Sequence, residues 1–132
     1  MQWHHPGPNG SPPLTVEASN GELRLTGGEH RPFIASIAPV RPGDPLNLQL
    51  RVTFSSNPAV GAVSVWKDGQ LVVNGVHPPE GTLYAGDDHA YMKLGMYRSR
   101  EAPGTATVFV NDVLVGNSLE SVSPARRGAG PR

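Results

Sequence analysis

Apolar residues recur at every second position along most of this chain, the period of a strand with one buried and one wetted face. The longest such run is LNLQLRVTF: Leu46, Leu48, Leu50, Val52 and Phe54 fall on one side, Asn47, Gln49, Arg51 and Thr53 on the other. LTVEA (14–18) and ELRLT (22–26) flank Ser19-Asn20-Gly21, which reads as a hairpin turn. RPFIASI (31–37) is a further strand, with Pro32 near its start, where a missing donor is tolerated. GAVSVWKDGQLVVNG is a second hairpin, closed by Asp68-Gly69 as a two-residue type I′ turn. AYMKLGMYR and TATVFVNDVLVGN complete the set, the last with a turn or bulge at Asn111-Asp112. No long segment carries the 3.6-residue period of a helix. The pattern predicts about eight antiparallel strands and an all-β fold, an antiparallel sandwich of the jelly-roll kind.

Composition changes this picture little. The chain has 132 residues, the length of one domain with one core. Its 16 Gly and 14 Pro suit a protein of many turns. Eleven basic residues balance eleven acidic ones, so bulk charge argues for neither nucleic acid nor a membrane surface as partner. There is no cysteine, hence no disulfide framework and no thiolate site. No apolar run approaches the roughly 20 residues of a membrane helix, and the N-terminus lacks the pattern of a signal peptide. Residues 1–118 read as one domain and 119–132 as a disordered tail.

One strand departs from the ordinary. In AYMKLGMYRS, Met92, Leu94 and Met96 make a plain core face, while Tyr91, Lys93, Gly95 and Tyr97 share the other. Alternate residues on one face lie about 7 Å apart, which sets Lys93 between two phenols. An ammonium beside a phenol favours the ionised form and suits a tyrosine to proton transfer. Gly95 leaves room for a ligand to approach. The structural alternative is an aromatic and cationic ladder that only packs. In QWHH, Gln2 and His4 share a face opposite Trp3, pairing an amide with a base that titrates near neutrality. A frayed terminus without a role is the alternative there. His30, His77 and His89 fall in loops and read as solvated. Asp87-Asp88 offers oxygen ligands for Ca²⁺, although adjacent loop carboxylates usually sit in water. No P-loop, nucleophile elbow, zinc pattern or dinucleotide fingerprint occurs, and no cofactor is expected.

A Q-x-H strand followed downstream by Y-x-K-x-G-x-Y resembles the motif pair of jelly-roll polysaccharide lyases. The alginate lyase branch carries QIH and YFKAGxYxQ. The heparin-lyase-I-like branch is closer, with vWkDGqlv, YlKlGiYR and vyvDdvrvG in that order. Here they read VWKDGQLVV (65–73), YMKLGMYRS (91–99) and VFVNDVLVG (108–116). The resemblance covers Gln2 to about Gly116 and implies a concanavalin A-like sandwich whose polar face is a carbohydrate groove. Such enzymes cleave uronic-acid polysaccharides (heparin- or heparan-, alginate- or glucuronan-like) by β-elimination. By this resemblance Gln2 would neutralise the substrate carboxylate and His4 would be base or neutraliser. Tyr97 would be the acid, with the base's part also open to it. Lys93 would hold negative charge and tune Tyr97, and Tyr91 would bind substrate beside it. Arg51 and Trp66 are added as groove residues from the strand alternation alone.

The same family places several strands before its Q-x-H strand, whereas this chain begins one residue before Gln2. The expectation is therefore an incomplete sandwich, the C-terminal portion of the domain, with unpaired edges that invite a homodimer. The partner expected is an acidic polysaccharide, and the location secreted or periplasmic by resemblance. A non-catalytic carbohydrate-binding sandwich and a sandwich without ligand are the alternatives.

Overall fold

The structure is a computed structural model that describes residues 1–8 and 10–123. Its strands are β1 (Gln2–His4), β2 (Leu14–Ser19), β3 (Glu22–Thr26), β4 (Phe33–Pro39), β5 (Leu48–Thr53), β6 (Ala62–Lys67), β7 (Gln70–Val76) and β8 (Tyr91–Lys93). Five form one sheet in the order β4-β3-β2-β1-β8, and the other three form a second, β5-β6-β7. Every pairing is antiparallel. No α-helix occurs among the described residues; a single 3₁₀ turn spans Glu120–Val122. The fold is the all-β sandwich that the alternation predicts.

The two hairpins are closed as their turn residues dictate. Asn20 and Gly21 have φ of 52° and 74°, and Asp68 and Gly69 have 51° and 81°. A type I′ turn needs two consecutive residues with positive φ, which Asn-Gly and Asp-Gly supply at least cost. The turns fix register, and register sends Leu14 and Val16 of β2 and Leu23 and Leu25 of β3 to one side. Together with Ile37 and Ala38 of β4 they meet Val63, Val65 and Val73 of the second sheet. The sheets touch where β4 lies over β6 and β7. Leu14, Leu25, Val63 and Val65 are wholly buried, each side chain worth about 1.5–3 kcal/mol in transfer from water. Trp3 extends this core to β1.

Three expectations are corrected on the other side of the molecule. The strand expected over 90–98 keeps its ladder only over Tyr91–Lys93. Lys93 stands opposite Gln2, the first residue of β1, and the ladder between the two strands ends with that pair. Arg98 closes the loop that follows, donating to the carbonyls of Ala102, Pro103 and Gly104. The expected core face of Met92, Leu94 and Met96 is uncovered, at 37%, 38% and 39% exposure. The segment 105–117, which alternates like a strand, forms no ladder at all. Asp112, at its predicted turn, has φ of 55°.

Met92, Leu94 and residues 109–117 instead border a cleft of about 880 Å³, lined also by Leu48 and Leu50. Leu46 and Phe54, the ends of the longest alternating run, lie outside the β5 ladder and are partly exposed on this cleft. Within the segment expected as a tail, the 3₁₀ turn is held to β5. Gln49 Nε2 donates to Val122 O at 3.3 Å and to Ser123 Oγ at 3.2 Å. Residues 124–132 of that segment lie outside the described residues.

Candidate active site on the outer face of the larger sheet

Strand alternation builds this site. Trp3 points into the core, so its neighbours Gln2 and His4 point outward. Pairing with β8 then sets Lys93 opposite Gln2 and Tyr91 opposite His4. The four side chains form one contiguous group. His4 Nε2 lies 2.9 Å from Gln2 Oε1. The His4 and Tyr91 rings stack with centroids 5.7 Å apart and planes 27° from parallel. Lys93 Nζ stands 5.2 Å from the centre of the Tyr91 ring, a cation over a π face.

Electrostatics sets the protonation of His4. Burial holds His4 below the ordinary imidazole value of 6.5, and the charges of Lys93 and His5 push it the same way. The ring is therefore neutral at pH 7. Because Gln2 Oε1 accepts, Nε2 carries the proton and Nδ1 keeps the lone pair. A neutral imidazole with a free lone pair, a neighbouring ammonium and a stacked phenol can accept a proton and hold an anion side by side.

The other candidates stand elsewhere. Tyr97 lies four residues past the end of β8 and is 68% exposed. A Cβ on Gly95 would meet nothing within 4 Å, so the approach between Lys93 and Tyr97 is open. Gln49↔Trp66 and Arg51↔Ser64 are cross-strand pairs of the smaller sheet, on the face turned away from Val63 and Val65. Arg51 and Trp66 border the apolar cleft and do not join the His4 group. Asp87 and Asp88 diverge. Asp87 turns inward to His5, with Oδ2 3.9 Å from Nδ1, whereas Asp88 hydrogen-bonds its exposed neighbour His89. Among the described residues no group of three or more His, Cys, Asp or Glu is placed to hold a metal. His77 Nδ1 meets the carbonyls of Gly61 at 2.8 Å and Pro58 at 3.1 Å, while His30 stays exposed.

The strand reading missed a brace beside the site. His5 follows β1 directly, and its Nδ1 accepts from Gly7 N–H at 3.2 Å. The Tyr84 ring meets the His5 ring edge-on at 5.2 Å, and its hydroxyl donates to Ser11 O at 2.9 Å. Burial raises the Tyr84 phenol above its usual range, reinforced by Glu80, Glu29 and Asp87, so it serves as a donor and not as an anion. The brace ties the loop after β1 to the loop before β8 and so fixes the two strands that carry the site. The His4-His5 doublet was its only trace in the sequence, since Tyr84 and Asp87 lie some eighty residues downstream in a loop.

No curated protein and no solved structure matches the chain. A family model does: the one described as polysaccharide lyase matches residues 1–113, a span that takes in all eight strands and every candidate named above. With most of its length matched, the chain belongs to the polysaccharide lyase family.

Proposed function

We propose that the outer face of β1 and β8 binds a uronic-acid polysaccharide and cleaves it by β-elimination. The observation that carries this reading is the neutral His4, bonded to Gln2 and stacked on Tyr91 beside Lys93. The reaction removes the C5 proton of a uronate, shifts that electron pair into a C4–C5 double bond, and breaks the C4–O4 bond of the same uronate, so that O4 leaves with the neighbouring sugar. The C5 proton is acidic only while the adjacent carboxylate is neutralised, as donors to the developing enolate-like charge achieve. Lys93 and the Gln2 amide supply that charge and those donors, and His4 Nδ1 takes the proton.

A tyrosine hydroxyl of the same strand protonates the departing O4. Tyr91 is the phenol in contact with His4. Tyr97 would come opposite Gln2 if the β1–β8 pairing slid by four residues, an even shift that keeps every side chain on its face. The polymers that carry uronates are large and extracellular, which places the protein outside the cytoplasm in this reading.

The test is incubation with heparin, heparan sulfate, alginate and glucuronan while the ultraviolet absorbance of the unsaturated product is followed. A rise on at least one is expected. His4→Ala is expected to lower kcat by about 10²–10⁴-fold, the usual worth of a positioned acid or base. Lys93→Ala is expected to lower kcat as well as raise KM, because its charge both holds the carboxylate and stabilises the developing anion. Tyr91→Phe and Tyr97→Phe, compared side by side, identify the proton donor. Folded protein that produces no absorbance on any of the four polymers overturns catalysis. Binding without cleavage then leaves the non-catalytic carbohydrate-binding sandwich.

A further inference from the structure

We propose that Arg31 belongs to a second sugar subsite, beside the His4 group on the same sheet face, where it takes the anionic group of a neighbouring sugar; this rests on the polysaccharide reading above. Arg31 closes the loop between β3 and β4, its backbone N–H donating to Gly28 O at 3.0 Å. Its φ is 50°, a left-handed backbone that residues with a β-carbon rarely adopt and glycine adopts freely. A strained backbone beneath a charged side chain points to a use for that side chain. The guanidinium reaches across the outer face of the larger sheet to Glu17 Oε2 on β2. Arg24 holds the other oxygen of this carboxylate, from Nε at 3.0 Å and from Nη2 at 2.9 Å. Glu17 thus stays neutralised by Arg24 when Arg31 swings away. Arg31 is also the more open of the two, its side chain 46% exposed against 32% for Arg24.

The surface beneath Arg31 is built for a polar ligand. By register one row runs Lys93, Gln2, Thr15, Thr26 across β8, β1, β2 and β3. Opposed residues share a face, here the outer one, because Leu14, Val16 and Leu25 beside them point into the core. Two strand spacings, about 10 Å, separate Gln2 from Thr26. Thr26 lies on the diagonal from Arg31 to Glu17, so the ion pair passes over it. Thr15 and Thr26 are 2% and 1% exposed, and neither hydroxyl has a hydrogen-bond partner among the described residues. A buried hydroxyl without a partner is unfavourable, and a sugar hydroxyl would satisfy it once Arg31 moves off Glu17. The row ends on β4 at Phe33, opposite Thr26. A bulge beside it turns both Ile34 and Ala35 toward the core, which leaves Phe33 on the outer face and 58% exposed. Its ring offers a flat apolar platform to the C–H face of a sugar. With Arg31, the strands of this sheet carry three cations, the others being Arg24 and Lys93, against the two carboxylates of Glu17 and Glu22. That surplus suits a polymer with anionic groups on more than one sugar.

Calorimetric titration with size-fractionated uronate oligosaccharides tests the idea, on the His4→Ala background so that little ligand is consumed. Arg31→Gly removes the side chain and suits the left-handed backbone, so an unchanged circular dichroism spectrum is expected. Affinity for the longer oligosaccharides is expected to fall about tenfold or more, the worth of a hydrogen bond to a charged group, while the shortest ligand that binds is little affected. A loss on glucuronan and alginate oligosaccharides assigns a carboxylate to Arg31, and a loss on heparin oligosaccharides alone assigns a sulfate; either supports the subsite. Thr15→Val combined with Thr26→Val deletes only the two hydroxyls. It is expected to leave stability unchanged or raised and to weaken binding about fivefold. Unchanged affinity in folded Arg31→Gly overturns the proposal and leaves the polysaccharide reading standing. Should that variant misfold, unchanged affinity in the double threonine variant overturns it in the same way. A wild-type chain that binds none of these oligosaccharides overturns the polysaccharide reading itself, and the subsite with it.

Discussion

The β2–β3 hairpin and the stretch from β8 to residue 117 are written in the same alternating code and meet different fates. In the hairpin, Leu14, Val16, Leu23 and Leu25 are buried beneath the smaller sheet. In the later stretch, Met92, Leu94 and Met96 are more than one-third exposed, and Phe109 is almost wholly so. The difference lies in the partners. The hairpin has an Asn-Gly turn to set its register, β1 and β4 to pair its edges, and a second sheet to cover its face. β8 has a three-residue neighbour on one edge, and among the described residues its apolar side chains Met92 and Leu94 meet an open cleft in place of a packed sheet. Alternation thus fixes which side chains share a face; burial is decided by what lies across from that face.

The sharpest way to probe this contrast is to truncate matched apolar side chains on the two sides. Leu25→Ala removes a side chain with no exposed surface from the centre of the core, and a loss of about 2–5 kcal/mol is expected. Met96→Ala removes a similar side chain that the sequence places equally in the core, yet its surroundings are open and it does not border the cleft. A change of at most about 0.5 kcal/mol is expected there. Urea unfolding of both variants at one protein concentration checks the pair. Equal losses would mean that the face carrying Met96 is covered in solution.

Between the two regions stands the brace of His5 and Tyr84, which ties the loop after β1 to the loop before β8. Its tightest point is Gly7, where an added Cβ would lie 2.5 Å from His5 Cε1. Gly7→Ala forces the imidazole out of its place against Tyr84 and Asp87. A loss of about 1–3 kcal/mol is expected, the cost of overpacking a filled site. The variant is also expected to lower the activity of the proposed site, although Gly7 is not one of its residues. If stability falls and the kinetic constants stay unchanged, the brace does not position β1.

How much of this was legible beforehand follows from the range of each signal. Turn chemistry is local, so Asn20-Gly21 and Asp68-Gly69 announced both hairpins, and the alternation beside them gave the core faces of β2, β3 and β6. The candidate residues Gln2, His4, Tyr91 and Lys93 were legible as two separate strand faces. Their union was not, because the pairing of Gln2 with Lys93 spans some ninety residues and leaves no local mark. The same distance hid Tyr84 and Asp87. The early end of β8 was hidden for a related reason: the sequence of 94–97 alternates well, and whether a strand pairs along its length is set by its distant partner, here a β1 of only three residues. Arg51 and Trp66 share a face with each other and with no member of the His4 group, since alternation names the face but not the sheet.

The smallest expected effect belongs to His4 and concerns pH. Its folded-state pKa is lowered, first by burial and then by the Lys93 and His5 charges, whereas the unfolded chain titrates near 6.5. Between those two values the unfolded state binds more protons, so stability rises with pH across the window. Read downward, stability is lost as pH falls from about 6.5 toward the folded value, and the penalty is complete below it. Other groups titrate in the same range, so the measurement is a difference: unfolding free energy against pH for the wild type and for His4→Gln. The wild type is expected to lose more between neutrality and mild acid, with the two curves parallel above about pH 7. If His4 is the base of the proposed elimination, the same lowered pKa puts the acid limb of that activity below pH 6.5. A stability difference of the opposite sign would mean that His4 gains an anionic partner on folding, and the arrangement in which a neutral ring faces Lys93 would have to be abandoned.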